Sequence, residues 1–398
     1  MQEIIWHCLA TIFACTWVAF HPNVADPKFS RCRKLVLNAT LLALALIVPE
    51  YITRCALRQW IGASRHVEKY NTDYFVRPRP PRKWFVRLKS WLFDQRADWR
   101  GDEGGYIEGR SEEQIGVGRP SEKSGDISCS TEPKVRWTMT HGFLLEMGGL
   151  VAYTLDSKEF REGSRGIITQ IDQLSAPLNI PEQHINDRSK RDNLTKFIAA
   201  LQTSWFILQC IARWISNLPV TQLEVVTLAF AFLNIITYAL WWKKPQKMNV
   251  AIYIRVQHVP SRALQSSEGI GPFYSTVSQF QRREFVTALC LIAIPFGAIH
   301  LIPIWLSSFA SPREKLLWTI SSIFITVEPA ALACFRPLEP VEKRHWKSWV
   351  HYIIVAMSTL MFIGARIILL SLAFASLRNS PTEVYYNIDW DSFVPRVY

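Results

Sequence analysis

Apolar residues along this chain are gathered into long runs, and the polar residues collect between them. The runs fall at about 3–20, 34–57, 137–154, 194–216, 219–242, 284–307, 314–336 and 347–378, bounded by charge or proline. A helix needs about 20 apolar residues to cross roughly 30 Å of hydrocarbon, and these runs have that length. The pattern predicts an all-α fold: a polytopic helical membrane protein with about 7–8 transmembrane helices and a long disordered polar loop. The third run, "WTMTHGFLLEMGGLVAYT", carries His141, Glu146 and three glycines. It reads either as a third span or as a re-entrant or interfacial segment, since irregular backbone at membrane depth needs cover from protein or a wet cavity.

The same pattern divides the chain. Residues 1–57 form an N-terminal transmembrane hairpin and 58–136 a polar loop. Residues 137–242 hold the third run and a central transmembrane hairpin, 243–283 a cytosolic loop, 284–378 a three-helix transmembrane unit, and 379–398 a tail. Within the polar loop, the part from about Gly101 to Pro133 has almost no apolar periodicity and is expected to be disordered. Before it, "RPRPPRKWFVRLKSWLF" predicts a proline-rich turn followed by a basic, aromatic amphipathic helix on a membrane surface.

Composition changes this picture little. Of 398 residues 49% are hydrophobic, and the mean hydropathy of +0.06 averages apolar spans with charged loops. The net charge of +12 sits mainly beside the spans, where Lys and Arg mark the cytoplasmic side, so nucleic acid is not an expected partner. On that rule 243–283 and 337–347 are cytosolic, and the uncharged tip at 217–219 and the acidic tail lie opposite. Eight cysteines form no CxxC pair and imply neither a disulfide framework nor a zinc site. The N-terminus "MQEIIWHCLATIFACTWVAF" lacks a basic n-region and is read as the first span.

No Walker loop, GxGxxG, HExxH, GxSxG or EF-hand pattern is present, so no cofactor and no metal are expected. The candidate chemistry lies in ionisable residues inside apolar runs, each costing about 3 kcal/mol to insert and each a functional candidate for that reason. Arg213 and Glu224 flank the tip at 217–219 at similar depth. They read either as a clasp between two helices or as a charged pair lining a cavity, with Gln209 and Asn234 deeper in. Glu50 follows Pro49 and Glu328 precedes Pro329. Proline loosens the helix ladder there, and a carboxyl group in an apolar site can stay protonated as a general acid. His141 and His300 each have a glycine nearby, which allows close helix approach. Arg366 lies deep in the last run and needs a partner, for which Glu328 is one candidate. The tryptophans at 241, 242, 346 and 349 read as interfacial anchors.

Several stretches carry a resemblance. "WTMTHGFLLEMGG" (137–149), "LQTSWFILQCIAR" (201–213), "LPVTQLEVVTLAFAFLN" (218–234), "WWKKP" (241–245) and "FGAIHLIPIW" (296–305) resemble a large family of fungal multi-pass membrane proteins. "CTWVAFHPNV" and "VPEYITRCALRQW" fit too, so the likeness spans most of the chain outside 70–135. In size and span count the chain also looks like the membrane-bound terpene cyclases of fungal meroterpenoid and other secondary-metabolite clusters. That likeness implies an endomembrane location such as the endoplasmic reticulum and an apolar substrate, a prenylated phenol or its epoxide. It implies metal-independent protonation by a carboxylic acid, followed by cyclisation in an aromatic-lined pocket. The positions that match the family's recurring polar residues are His141, Gln209, Arg213, Glu224, Asn234 and His300; with the acids read from the apolar runs, Glu224, Arg213, His141, His300, Glu328 and Glu50 are the expected catalytic residues. Glu146 stands where the family does not usually carry an acid. A transporter or channel, and a non-catalytic membrane scaffold, are the other readings.

Overall fold

The computed structural model describes residues 2–18, 22–24, 30–75, 127–128, 135–155, 162–174, 176–189, 193–216, 218–246, 248, 251–256, 271, 273–276, 282–307, 309–335 and 345–379. The chain opens with α1 (Gln2–Phe13), which widens into a π-helical turn, Ala14–Val18. Helix α2 (Arg31–Ile47) starts on Ser30, whose hydroxyl accepts from the Arg33 N–H. Pro49 has no N–H to continue that helix, so a new one, α3 (Pro49–Tyr74), sets off at 107° to it. The predicted run 34–57 is therefore broken at Val48, and helix extends through Tyr74, into the segment expected to be loop from residue 58.

The third apolar run is the main correction. It is no span but an eight-residue helix, α4 (Met139–Glu146), followed by a strand, β2 (Leu150–Leu155). Gly148 joins them at φ 69°, a left-handed backbone for which glycine pays no Cβ penalty. Strand β2 pairs antiparallel with β3 (Glu162–Ile168) and parallel with β4 (Ile252–Arg255), which pairs in turn with the short β1 (Ile127–Ser128). The sheet order is β1-β4-β2-β3. An all-α expectation thus holds for most of the described residues but misses a four-stranded sheet. The rest of the expected disorder between Gly101 and Pro133, and the amphipathic helix near 77–93, lie outside the described residues, as does the tail.

A short helix, α5 (Glu182–Asn186), leads towards the bundle helices α6 (Asn193–Ile215) and α7 (Gln222–Trp241), the central hairpin that the sequence predicted. Then come α8 (Arg282–Ile299), α9 (Pro303–Leu306), α10 (Pro312–Phe335) and α11 (His345–Ala375). Helix α10 packs against α8 and α11, and α7 against α1, α3, α6 and α8.

Two large apolar cores form among the described residues. One fills the bundle, with Trp60, Phe230, Trp318 and Phe362 among its members. The other lies beneath the sheet, where Tyr70 meets Leu145, Leu150, Ile168 and Ile252. Helix α3, 26 residues long, contributes to both cores and ties the sheet to the bundle.

The outer surface inverts the usual soluble pattern. Helix α6 exposes Phe197, Leu201, Trp205, Leu208, Ile211 and Trp214 along one face, and α11 exposes Trp349, Ile353, Met357, Leu360 and Ile367. Among the described residues two helical stretches, Gln222–Trp241 and Ile353–Arg378, are long and apolar enough to cross a membrane, and the bent pair α2–α3 makes a third if taken as one span.

Candidate functional site

Three polar clusters sit inside this apolar frame. The first is the predicted meeting of Arg213 and Glu224. Arg213 Nε lies 3.6 Å from Glu224 Oε1, with both side chains buried. The arginine also donates from Nη2 to the Pro219 carbonyl at 2.9 Å, across the tip between the helices. The other carboxylate oxygen is occupied as well: Glu224 Oε2 accepts from the Thr221 N–H at 2.8 Å and its hydroxyl at 2.9 Å, and the Thr221 hydroxyl accepts from the Glu224 N–H. This is a capping box, satisfying the first turn of α7. Oε1 thus faces the arginine of the neighbouring helix while Oε2 caps its own, an arrangement that fits a clasp. Asn234 does not join the pair; its amide donates to Thr203 at 3.3 Å.

The second cluster unites residues far apart in sequence. Arg366 Nη2 lies 3.6 Å from Glu50 Oε2, so its partner is Glu50 and not Glu328. Its Nε donates to the Ile47 carbonyl at 3.2 Å, a group near the helix break before Pro49. The guanidinium lies 4.3 Å from the Phe296 ring centre and 5.8 Å from that of Phe230, within reach of both aromatic faces. His300 Nε2 stands 3.5 Å from Arg366 Nη1, and its Nδ1 is 2.9 Å from the Phe296 carbonyl. The His300 carbonyl accepts from Trp318 Nε1 and the Ser322 hydroxyl, fixing the end of α8 against α10. Glu328 accepts instead from the Ser358 hydroxyl of α11 at 2.8 Å.

His141 is apart from all of these. Its Nδ1 is 3.1 Å from the Thr138 N–H nitrogen and 3.0 Å from the Thr138 hydroxyl, and Nε2 is 2.7 Å from the Ile180 carbonyl. Such a network assigns the proton to Nε2 and the acceptor role to Nδ1. Burial holds the imidazole below its ordinary pKa, so it stays neutral. With both nitrogens engaged, His141 caps α4 and does not present a free acid or base.

The third cluster lies where the two cores meet, and it carries the most polar groups. Glu146 ends α4, where the helix dipole disfavours a carboxylate. Its oxygens are compensated by the Ser275 hydroxyl, the Thr276 hydroxyl and the Thr276 N–H at 2.8 Å, with His66 Nε2 at 3.2 Å. Gly62 of α3 makes room: a Cβ there would fall 2.5 Å from Glu146 Oε1. Beside it, Lys244 Nζ is fully buried, donating to Gln59 Oε1 at 2.7 Å and Asn23 Oδ1 at 3.2 Å, and lying 4.6 Å from the Trp241 ring centre. Burial pulls the lysine down to about 7, opposed in part by the charge of Glu146. Gln59 and Asn23 then donate to the carbonyls of Tyr274 and Gly271. The segment around 271–276 is thus gripped at one end by Asn23 and Gln59, both of which Lys244 supports, and at the other by Glu146 and His66.

Lys244 reads in the sequence only as one more basic residue after a tryptophan pair, and Glu146 as an acid in a glycine-rich run. No local signal joins them to Asn23 or Gln59. No group of three or more His, Cys, Asp or Glu able to hold a metal occurs among the described residues.

Residues 112–266 match the profile of a family of unknown function, DUF8562, which covers less than half of the chain and includes α4, the sheet strands β1–β4, α6 and α7. Neither a curated protein nor a solved structure matches the chain.

Proposed function

We propose that the chain is a multi-pass membrane protein with about seven to eight membrane-inserted helical segments, and that its buried charges are clasps between helices in a unit that holds or scaffolds an apolar, membrane-borne molecule. One relationship carries this reading: apolar faces of α6, α10 and α11 point outward while Arg213, Glu224, Glu50 and Arg366 point inward. In water such faces would drive aggregation; in lipid they are the solvated surface, and the ions must find partners inside. Each does, and each partner ties one helix or helix end to another. The bilayer is then the first partner, and an endomembrane such as the endoplasmic reticulum is the proposed site.

Membrane extraction tests this directly. The chain expressed in a fungal host is expected to stay with membranes through alkaline carbonate and to leave them only with detergent. A monodisperse protein in detergent-free buffer would sink the reading.

A second reading, the acid-initiated cyclase of a prenylated phenol implied by the resemblance, is favoured by one observation. Glu50 sits at a proline break with Phe296 and Phe230 grouped about its guanidinium partner, an acid beside aromatic faces that can steady a carbocation. Feeding a farnesylated phenol or its epoxide to a host expressing the chain tests it. A new cyclic product that disappears in Glu50→Gln, with expression kept, would establish turnover; unchanged substrate beside well-expressed protein would dismiss it.

A further inference from the structure

A cleft of about 30 Å³ opens in the bundle between the π-helical turn, the α2–α3 break and α7, lined by Cys15, Thr16, Pro49, Phe230, Asn234 and Thr237 among others. π-Helical turns recur at functional sites, and the proline break opposite supplies no backbone donor at residue 49. The polar groups around this cleft have a definite bias. Thr16 gives its hydroxyl proton to the Ile12 carbonyl at 2.8 Å, and Thr237 donates to the Leu233 carbonyl at 2.9 Å. The Thr53 hydroxyl is turned to Thr237 at 2.8 Å. Asn234 donates one amide proton to Thr203, 3.3 Å away. What is left is acceptor capacity: Asn234 is 4% exposed, lines the cleft, and its Oδ1 has no hydrogen-bond partner among the described residues.

A buried amide oxygen without a donor costs on the order of 1–3 kcal/mol, so a guest that brings a donor is favoured. A carbonyl or carboxylate guest brings no donor and leaves the Asn234 oxygen unmet. A cation finds no acid in the lining, which is made of Cys, Thr, Asn, Pro and apolar side chains. A hydroxyl fits both the chemistry and the volume, since a space of this size holds about one to two water-sized groups. The remaining wall, with Ala45, Ile52, Phe230 and Leu233, is apolar.

We infer that this cleft binds the hydroxyl end of a lipophilic alcohol, whose O–H donates to Asn234 Oδ1 while its hydrocarbon runs out along the apolar wall. The inference rests on the membrane-embedded reading, because a guest with such a tail is delivered from a bilayer. It names the chemical class of the held molecule and requires no catalytic step.

The test uses the full chain in lipid nanodiscs with 1-dodecanol and dodecyl methyl ether as paired probes, which share a tail and differ in the donor. Thermal unfolding is the readout, since a ligand that binds the folded state raises the midpoint. Dodecanol is expected to raise it by a few degrees beyond the ether, and the difference is expected to vanish in Asn234→Leu and in Ala45→Phe, which fills the cleft without touching the amide. Equal shifts with both probes in the unaltered chain, the mark of a cleft that holds water alone, would overturn the inference. That comparison decides the matter even where neither variant folds. Failure here leaves the membrane assignment standing, because detergent dependence is measured separately.

Discussion

The carboxylate of Glu146 occupies the space that a side chain on Gly62 would need: a Cβ built on residue 62 falls 2.5 Å from Oε1. An acid at the end of one helix is thus housed by a missing methyl on another. Gly62→Ala must displace the carboxylate from Ser275 and Thr276, leaving a buried charge short of donors. It is expected to lower the unfolding midpoint sharply in detergent. Gly364→Ala in α11, where nothing lies within 4 Å of the added Cβ, is the matched control and is expected to be neutral or slightly stabilising, since alanine is the better helix former. Equal behaviour of the two variants would show that Glu146 is not confined by Gly62.

Lys244 gives a pH dependence with a definite sign. Its folded-state value is pulled down to about 7 from the usual 10.5 by burial, so between those limits the unfolded chain binds more protons than the folded one. Stability then rises with pH across that window, and is lost as pH falls towards 7. Gln59 and Asn23 both offer oxygen acceptors to the amine, so its neutral form keeps hydrogen-bond partners. Thermal midpoints taken from pH 7 to 9 are expected to climb in the unaltered chain and to climb less in Lys244→Met. An unchanged slope in the variant would remove Lys244 from the account.

The Arg213–Glu224 pair predicts coupling of a particular kind. Breaking a buried ion pair from one side costs about 3–5 kcal/mol, whereas replacing both partners can be nearly neutral. Arg213→Met and Glu224→Gln are each expected to destabilise, and the double variant to be less harmed than the sum. Glu224→Ala is expected to be worse than Glu224→Gln, because it also removes the side-chain half of the capping box at Thr221. Strict additivity in denaturation midpoints would count against the clasp.

Lipid contact is checked by placing a charge on the outer face. Leu208 is 47% exposed on α6, and a surface Leu→Asp in a water-soluble protein changes stability by about 0.5 kcal/mol or less. In a bilayer the same charge costs about 3 kcal/mol. Leu208→Asp is therefore expected to reduce membrane-inserted yield several-fold; normal yield and stability would place α6 in water.

Much of the helical frame was legible because hydrophobic run length is a local property. The central hairpin appears where the apolar runs and the uncharged tip predicted it, with α6 ending at Ile215 and α7 starting at Gln222. The nearness of Arg213 and Glu224 followed from the shortness of that turn. The sheet was not legible: "LVAYT" after a glycine pair is as apolar as a stretch of span, and only pairing with β4, about 100 residues later in sequence, tells strand from helix. His141 shows a similar limit. Its capping role at Thr138 is local, but the carbonyl of Ile180 that occupies its other nitrogen comes from a distant loop.

By itself the sequence determined where most of the apolar helix would form and that ions inside it were few, because each depends on residues within one or two turns. Tertiary structure alone decided which ions meet. Arg366 reaches Glu50 across more than 300 residues of chain, and Lys244 reaches Asn23 and Gln59. In an apolar interior a charge is tolerated only beside its complement, and that complement is chosen by how helices pack, a relationship that no stretch of neighbouring residues encodes.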